Sequence, residues 1–326
     1  MSGKLPVALL TALLGELPAA PPELRLGPRI GEDACALEIP AGTLVAATDP
    51  ITLASDELGR LAVIVNANDV AVTGARPRWF LAAILVPPGT DASLVRSLFT
   101  EIRVALAEVG AALVGGHTEV TAAVTRPLVV GQMLGLTEDR TFVATAGATP
   151  GDVVVQVGHA PVEGAALLAR NTAGRLAELD GGLLAAAQSA LDVPGISVVE
   201  QALFAATLGA TALHDPTEGG LAAGLHELAA ASGVSIRVDR SAVLWFEPGL
   251  AVCRALGADP WATLASGTLL AVFPSERAAA AVRALAAKRH ATAAIGTIVQ
   301  GAGVRADDGR AIPWPARDEL DRLLLG

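Results

Sequence analysis

The chain has 326 residues, 52% of them hydrophobic and 17% charged, and its 33 acidic against 23 basic side chains leave a net charge of -10. That length suits about two domains, each with a core of its own, and the composition excludes a disordered chain. The acidic balance excludes a nucleic-acid surface, because no basic stripe is available to displace phosphate counterions.

Taken in chain order, the amino-terminal run "LPVALLTALLGELPAA" is broken by Pro6 and Glu16, with Leu9, Leu10, Leu13, Leu14 and Leu17 at helical spacing. This predicts an amphipathic helix docked on the body, not a signal peptide. No run reaches the roughly 18 apolar residues that a membrane span needs. Segments 34–39 and 43–48 are predicted as two paired strands around Pro40 and Gly42, and 57–75 as a nearly all-apolar helix. A strand follows at 78–86, an amphipathic helix at 91–110 with Asp91 as cap, and strands at 111–115 and 127–137. The small-residue cluster "TAGATPGD" at 145–152 places the domain boundary, giving domains 1–147 and 148–326. Beyond it come a strand at 153–157, alanine-rich helices to 209, a strand running into "LHDPTEGG", a helix at 221–232, and strands near 234–238, 268–273 and 294–299. The fold class is α/β (α+β), with two mixed-sheet domains. Cys35 and Cys253 each lie in an apolar run and read as small core residues, so a cytoplasmic location is expected.

Several acids stand where an acid is awkward. Asp33 precedes a strand, Asp49 ends one, Asp69 lies inside the apolar helix, Glu119 follows the pair Gly115-Gly116, and Asp215 follows a strand. Singly, Asp33 and Asp49 read as turn residues, Asp215 as a helix cap, and His117 and His214 as ordinary loop histidines. Asp69 is harder to dismiss, since an ionised carboxylate among valines and alanines is costly without compensation. Together the acids suggest Mg²⁺, which takes oxygen donors and bridges carboxylates to nucleotide phosphates. Gly115 and Gly116, at the end of the 111–115 strand, would let backbone amides approach a phosphate as a nest. The chain has no G-x-x-x-x-G-K-[ST] loop, so any nucleotide would be held through metal.

The segments "GPRIGEDACAL" (27–37), "AATDP" (46–50), "NDVAVTGARP" (68–77), "VGGHTEV" (114–120), "HDPTEGGLAAGLHELAAASGV" (214–234) and "SGTLLAV" (266–272) resemble, in this order, the superfamily of aminoimidazole ribonucleotide (AIR) synthetase, hydrogenase expression/formation protein, selenophosphate synthetase and thiamine-monophosphate kinase. The hydrogenase-maturation branch is the nearest in likeness. The resemblance implies two α/β domains of the AIR-synthase-like type, the first forming a β-barrel with its copy in a homodimer, and an ATP site at the sheet ends. It implies Asp33, Asp49, Asp69 and Asp215 as Mg²⁺ ligands. Asn68, Gly115, Gly116 and Glu119 would stand around the nucleotide with Asp33 and Asp69, and Lys4 would reach the phosphates. His117 and Asp215 are the candidate catalytic residues, His117 because imidazole titrates near neutrality beside the supposed nest.

The departures are equally informative. The hydrogenase-maturation enzyme carries its substrate on a carboxyl-terminal cysteine, whereas this chain ends "DELDRLLLG". His117-Thr118-Glu119 stands where that enzyme has Asp-Thr-Lys, and Glu218 where it has Arg. The expected function is a Mg²⁺-dependent ATP-binding enzyme that phosphorylates an oxygen of a small-molecule acceptor, cationic or neutral, with no nucleic-acid or membrane partner. The alternatives are a non-catalytic nucleotide-binding partner in a maturation complex, a thiamine-monophosphate-kinase-like small-molecule kinase, or a protein whose acids bind only a structural divalent ion.

Overall fold

The computed structural model describes residues 3–4, 7–27, 36–39, 41–54, 56–137 and 141–325. The chain divides into two compact units, Met1–Ala71 with Ala75–Phe142, and Val72–Gly74 with Val143–Gly326.

Unit 1 contains β1 (Gly3–Lys4), α1 (Val7–Gly15), β2 (Leu24–Leu26), β3 (Ala36–Leu37), β4 (Thr43–Pro50), α2 (Leu58–Ala71), β5 (Arg76–Val86), α3 (Ala92–Val109), β6 (Ala112–Val120) and β7 (Leu128–Thr137). Its main sheet has the order β1-β6-β5-β7-β4, with only the β5/β6 pair parallel. A parallel pair needs a crossover, and α3 supplies it. Asp91 caps α3 by accepting the Ser93 N–H at 2.7 Å, and Gly110 closes it in the left-handed region at φ 72. The buried positions Val95, Leu98, Ile102, Ala105 and Leu106 fall on one helical face. By contrast α2 is buried nearly all round, because it lies between the sheet and α3. Gly59 lets the two helices touch, and its N–H donates to Glu101 Oε2 at 3.0 Å.

Two expectations are corrected here. Among the described residues, 36–39 and 43–48 do not pair with each other: β3 pairs with β2, and β4 pairs along its whole length with β7. The apolar side chains Leu24 and Leu37 of that small ribbon cover Trp79, Val114 and Leu136 on the main sheet, which is where their burial is satisfied. The strand predicted to stop at 115 runs on to Val120, in register with β5 after one bulge at Val114. Gly116 is therefore a ladder residue, not a turn residue. Its φ is 150, and a Cβ there would collide with the carbonyl oxygen of Ala82 on β5. Gly116→Ala is expected to lower the unfolding free energy of the protein by about 2 kcal/mol or more, the cost of strain plus overpacking. A urea midpoint unchanged from wild type would show that the close approach to Ala82 is not needed.

Unit 2 contains β8 (Val153–Val157), α4 (Glu163–Asn171), α5 (Gly181–Gln188), α6 (Val199–Thr207), β9 (Ala212–His214), α7 (Gly220–Ser232), β10 (Ser235–Val238), α8 (Glu247–Leu256), β11 (Leu269–Phe273), α9 (Ser275–Ala287), β12 (Thr292–Val299) and β13 (Gly303–Ala306). The sheet order is β13-β10-β12-β8-β11-β9, with β10/β13 as its parallel pair. Leu221, Leu225 and Leu228 of α7 enter one core with Val154, Ile236, Leu270, Ile298 and Val304. No single helix among the described residues is long and apolar enough to cross a membrane.

Candidate functional site

In unit 1 the candidate residues are divided between the two faces of the sheet. Side chains alternate along a strand, and in-register neighbours share a face. Asp49 is in register with Gly131, Gly131 with Ala82, and Ala82 with Gly116. A Cβ at Gly131 would meet Asn66 and the Ala62 carbonyl, so this row looks onto α2. His117 lies in the row of Ala83 and Val130, and Glu119 in the row of Leu85 and Leu128, both on the other face. The structure thus separates Asp49 from the His117/Glu119 pair that sequence reading had aimed into the same cleft.

On the α2 face, Asn66 is fully buried and joins β4 to the helix. Its Oδ1 accepts the Asp49 N–H at 2.8 Å, and its Nδ2 donates to the carbonyls of Asp49 at 3.3 Å and Ala62 at 2.8 Å. Sequence reading singled out Asn68 and passed over Asn66. The available signal was its i, i+3 spacing to Asp69, which sets both on neighbouring positions of one helical surface. Asn68 is buried and Asp69 half-buried, one turn beyond Asn66. Asp49 and Asp69 are hard oxygen donors of the kind Mg²⁺ takes. Among the described residues, however, no group of three or more His, Cys, Asp or Glu side chains is arranged to hold a metal ion. Asp33 lies outside the described residues.

On the opposite face, His117 Nε2 is 3.5 Å from Glu119 Oε2, with the His117 side chain exposed and that of Glu119 partly so. Such a surface pair contributes less than about 1 kcal/mol. Strand β1 sets Gly3 opposite Val120 and Lys4 opposite Glu119, so the backbone of Lys4 borders the strand that carries His117.

Unit 2 places the "HDPTEGG" segment between β9 and α7. His214 Nε2 lies 2.8 Å from Glu227 Oε2 on α7, and the buried Asp215 follows at once. The next turn is pinned through the Thr217 carbonyl, which accepts the N–H groups of Gly220 at 3.0 Å and Ala265 at 3.2 Å. Gly219 and Gly220 have φ of 75 and 66, a conformation only glycine adopts easily, and leave α7 without a capping side chain of its own. Asp318 supplies one from 99 residues downstream. Its Oδ2 accepts the Gly219 N–H at 2.7 Å, and its Oδ1 the Leu320 N–H at 2.8 Å. These two bonds lower the pKa less than burial raises it, and the carboxyl is pushed up to about 6. Glu163, the first residue of α4, is buried and pushed up to about 7, foremost by that burial and further by Glu218 and Asp318. Neither Glu163 nor Asp318 was singled out from sequence. Glu163 opens an ordinary alanine-rich helix, and Asp318 acquires its role only through the distant turn.

Cys253 is a buried free thiol in α8, 3.6 Å from Thr263 Oγ1, and burial pushes it up to about 11, so it is an inert core residue. Cys35 lies outside the described residues.

The model of the AIR synthase related protein N-terminal domain matches residues 31–137, and that of the C-terminal domain matches residues 149–309. A carbamoyl dehydratase HypE from Azotobacter vinelandii is 30% identical over 313 residues, covering 89% of this chain and 87% of that protein. The solved structure of a hydrogenase maturation protein HypE in complex with ATP is similar with a TM-score of 0.74 at 26% identity, covering 90% of each chain. A thiamine-monophosphate kinase from Stenotrophomonas maltophilia is similar with a TM-score of 0.72 at 25% identity, covering 96% of this chain and 99% of that one. The two domain models in their order, and a relative of this identity matched over most of both lengths, show that this chain belongs to the AIR synthase related protein family, as an enzyme of that family.

Proposed function

We propose that the chain is a Mg²⁺-dependent, ATP-using enzyme that transfers a phosphoryl group to an oxygen of a small acceptor, in the cytoplasm and as a homodimer. The observation that carries this reading is the likeness, over nine-tenths of both chains, to a HypE structure that holds ATP. Phosphoryl transfer depends on positioning and charge neutralisation more than on a protein nucleophile, which suits a chain whose candidate residues are mostly carboxylates. Asp49 and Asp69 on the α2 side would hold the metal together with Asp33. When bound, the metal would neutralise phosphate charge. Asn66 fixes the Asp49 backbone, and Asn68 and Gly116 would stand near the nucleotide.

The homodimer is supported by the face of the unit 1 sheet that α2 and α3 leave open. Its apolar rows, Ala83 with Val130 and Leu85 with Leu128, remain only half-buried, and a second copy would cover them. Because the thiamine-monophosphate kinase likeness spans 96% of the chain, transfer to a free small molecule with the phosphate retained is the second reading.

Thermal unfolding tests the nucleotide reading. ATP with Mg²⁺ is expected to raise the midpoint by about 5 °C or more at saturation, from the stabilisation of about 2.7 kcal/mol that a hundredfold excess over Kd confers, while Mg²⁺ alone leaves it unmoved. The same shift with Mg²⁺ alone would mean a structural ion. ADP release against candidate acceptors then separates an enzyme that retains phosphate on its product from one that releases it.

A further inference from the structure

Segment 311–325 folds back over the start of α7, and its contacts follow one another along that helix to its first turn. The His226 Nε2–H donates to the Ile312 carbonyl at 2.8 Å, and the Trp314 indole stacks on the same imidazole with ring centres 5.1 Å apart. Pro315 comes next, 3.9 Å from where a Cβ on Gly219 would stand. Asp318 then accepts the Gly219 N–H, and Leu320 beyond it is 1% exposed. The Arg322 guanidinium closes the series, donating to the Gly257 carbonyl at 2.8 Å and to Glu319. Asp318 is thus the tie to the turn itself, and it is a tie whose charge can change.

The groups that face Asp318 make its charge unfavourable. Glu218 of the turn and Asp321 of its own segment act on it. Glu163, which opens α4, feels both Asp318 and Glu218, and the Cys253 thiol of α8 feels Asp318 together with Glu319 and Asp259. The two N–H donors at Asp318 and the Ser266 hydroxyl at Glu163 offset only part of the burial penalty. Undocking of segment 311–325 would return Asp318 to water and take its charge away from Glu163. Neutral carboxyls therefore favour the docked segment, and ionised ones favour its release.

We infer that segment 311–325 is a proton-operated latch on the turn between β9 and α7, shut while the carboxyls of Glu163 and Asp318 are neutral and loosened when both ionise. The inference does not rest on the phosphoryl-transfer reading. Opening is local: the segment and the turn come free while the sheet stays folded, as the least stable parts of a domain can do. Both groups are raised in the docked state, so their contribution to docking is complete near about pH 4 and is lost as pH climbs through about 6 and about 7.

Hydrogen–deuterium exchange of the full chain at pH 5 and pH 8, with exchange times scaled to the intrinsic rates, tests the latch peptide by peptide. Peptides within 312–325 and 216–222 are expected to lose protection by about tenfold or more at pH 8, while β8 loses less than about threefold. Glu163→Gln should diminish that loss by removing a buried carboxyl, and Glu218→Gln by removing the charge that acts on both. Glu247→Gln, at an exposed acid that opens α8, should leave it unchanged. Glu218 is exposed, so its variant folds even if Glu163→Gln does not, and a melting curve at pH 5 checks each. Equal protection at the two pH values, a loss in β8 as large as that in 312–325, or a loss undiminished in Glu218→Gln would overturn the latch.

Discussion

Asp69→Asn is expected to abolish Mg²⁺-dependent ATP binding while leaving the fold intact. Asparagine keeps the shape of the side chain and removes its charge, so the half-buried position on α2 stays packed. Removing one partner from a desolvated charge pair costs about 2–5 kcal/mol, which corresponds to a loss of affinity of at least about 30-fold. In the melting experiment the variant should unfold at the wild-type midpoint without ligand and should not respond to ATP with Mg²⁺. Calorimetric titration gives the affinity directly. Retained binding would remove Asp69 from the metal site and would leave the charge on an apolar helix without a functional account. Asn66→Leu is not an equivalent test, because it breaks two hydrogen bonds between α2 and β4 and one within α2 and changes the fold as well as the site.

The second large effect is a stability that rises as the solution becomes more acidic. The carboxyl of Glu163 is raised from 4.5 to about 7 and that of Asp318 from 3.8 to about 6. For a group whose pKa is higher in the folded state, the native protein binds the proton first, so its stabilising contribution is complete below the unfolded value and is lost as pH climbs through the folded value. The window is therefore about pH 4 to 7, and stability in it should fall as pH rises. For Glu163 alone the span, at about 1.4 kcal/mol per unit, bounds the effect at about 3 kcal/mol. Glu163→Gln should be more stable than wild type at pH 8 and show a shallower slope between pH 5 and 8. A wild-type stability that is flat or increases over that range would contradict the buried acidic pair. Of the two, Glu163 is the group that keeps its proton to the higher pH, since it has the greater burial penalty, while Asp318 accepts two N–H groups that favour its charged form.

Much of the fold was legible locally. The Asp91 cap, the Gly110 stop and the apolar face of α3 are written in consecutive residues, and the structure follows them within a residue. The strand at 153–157 and the helix after "HDPTEGG" were equally plain. Strand partners were not, because pairing depends on which apolar faces remain to be covered. Segments 34–39 and 43–48 looked like a hairpin through Pro40, yet β4 finds its partner in β7 and β3 in β2. The end of β6 was misread for a related reason. A run of glycine, histidine, threonine and glutamate looks like a loop, but the neighbouring β5 offers a full ladder up to Val120 and accepts Gly116 where no side chain would fit.

What the sequence determined by itself is the family, the two α/β domains and the identity of the carboxylates that make phosphate chemistry the leading reading, since motif spacing and local periodicity are properties of the chain. What only the tertiary structure decided is which side of the unit 1 sheet Asp49, His117 and Glu119 serve, and that the buried Glu163 feels the charge of the buried Asp318. Face follows from register, and gathering follows from burial shared between segments as much as 155 residues apart, from Glu163 to Asp318. Neither can be read from neighbours along the chain.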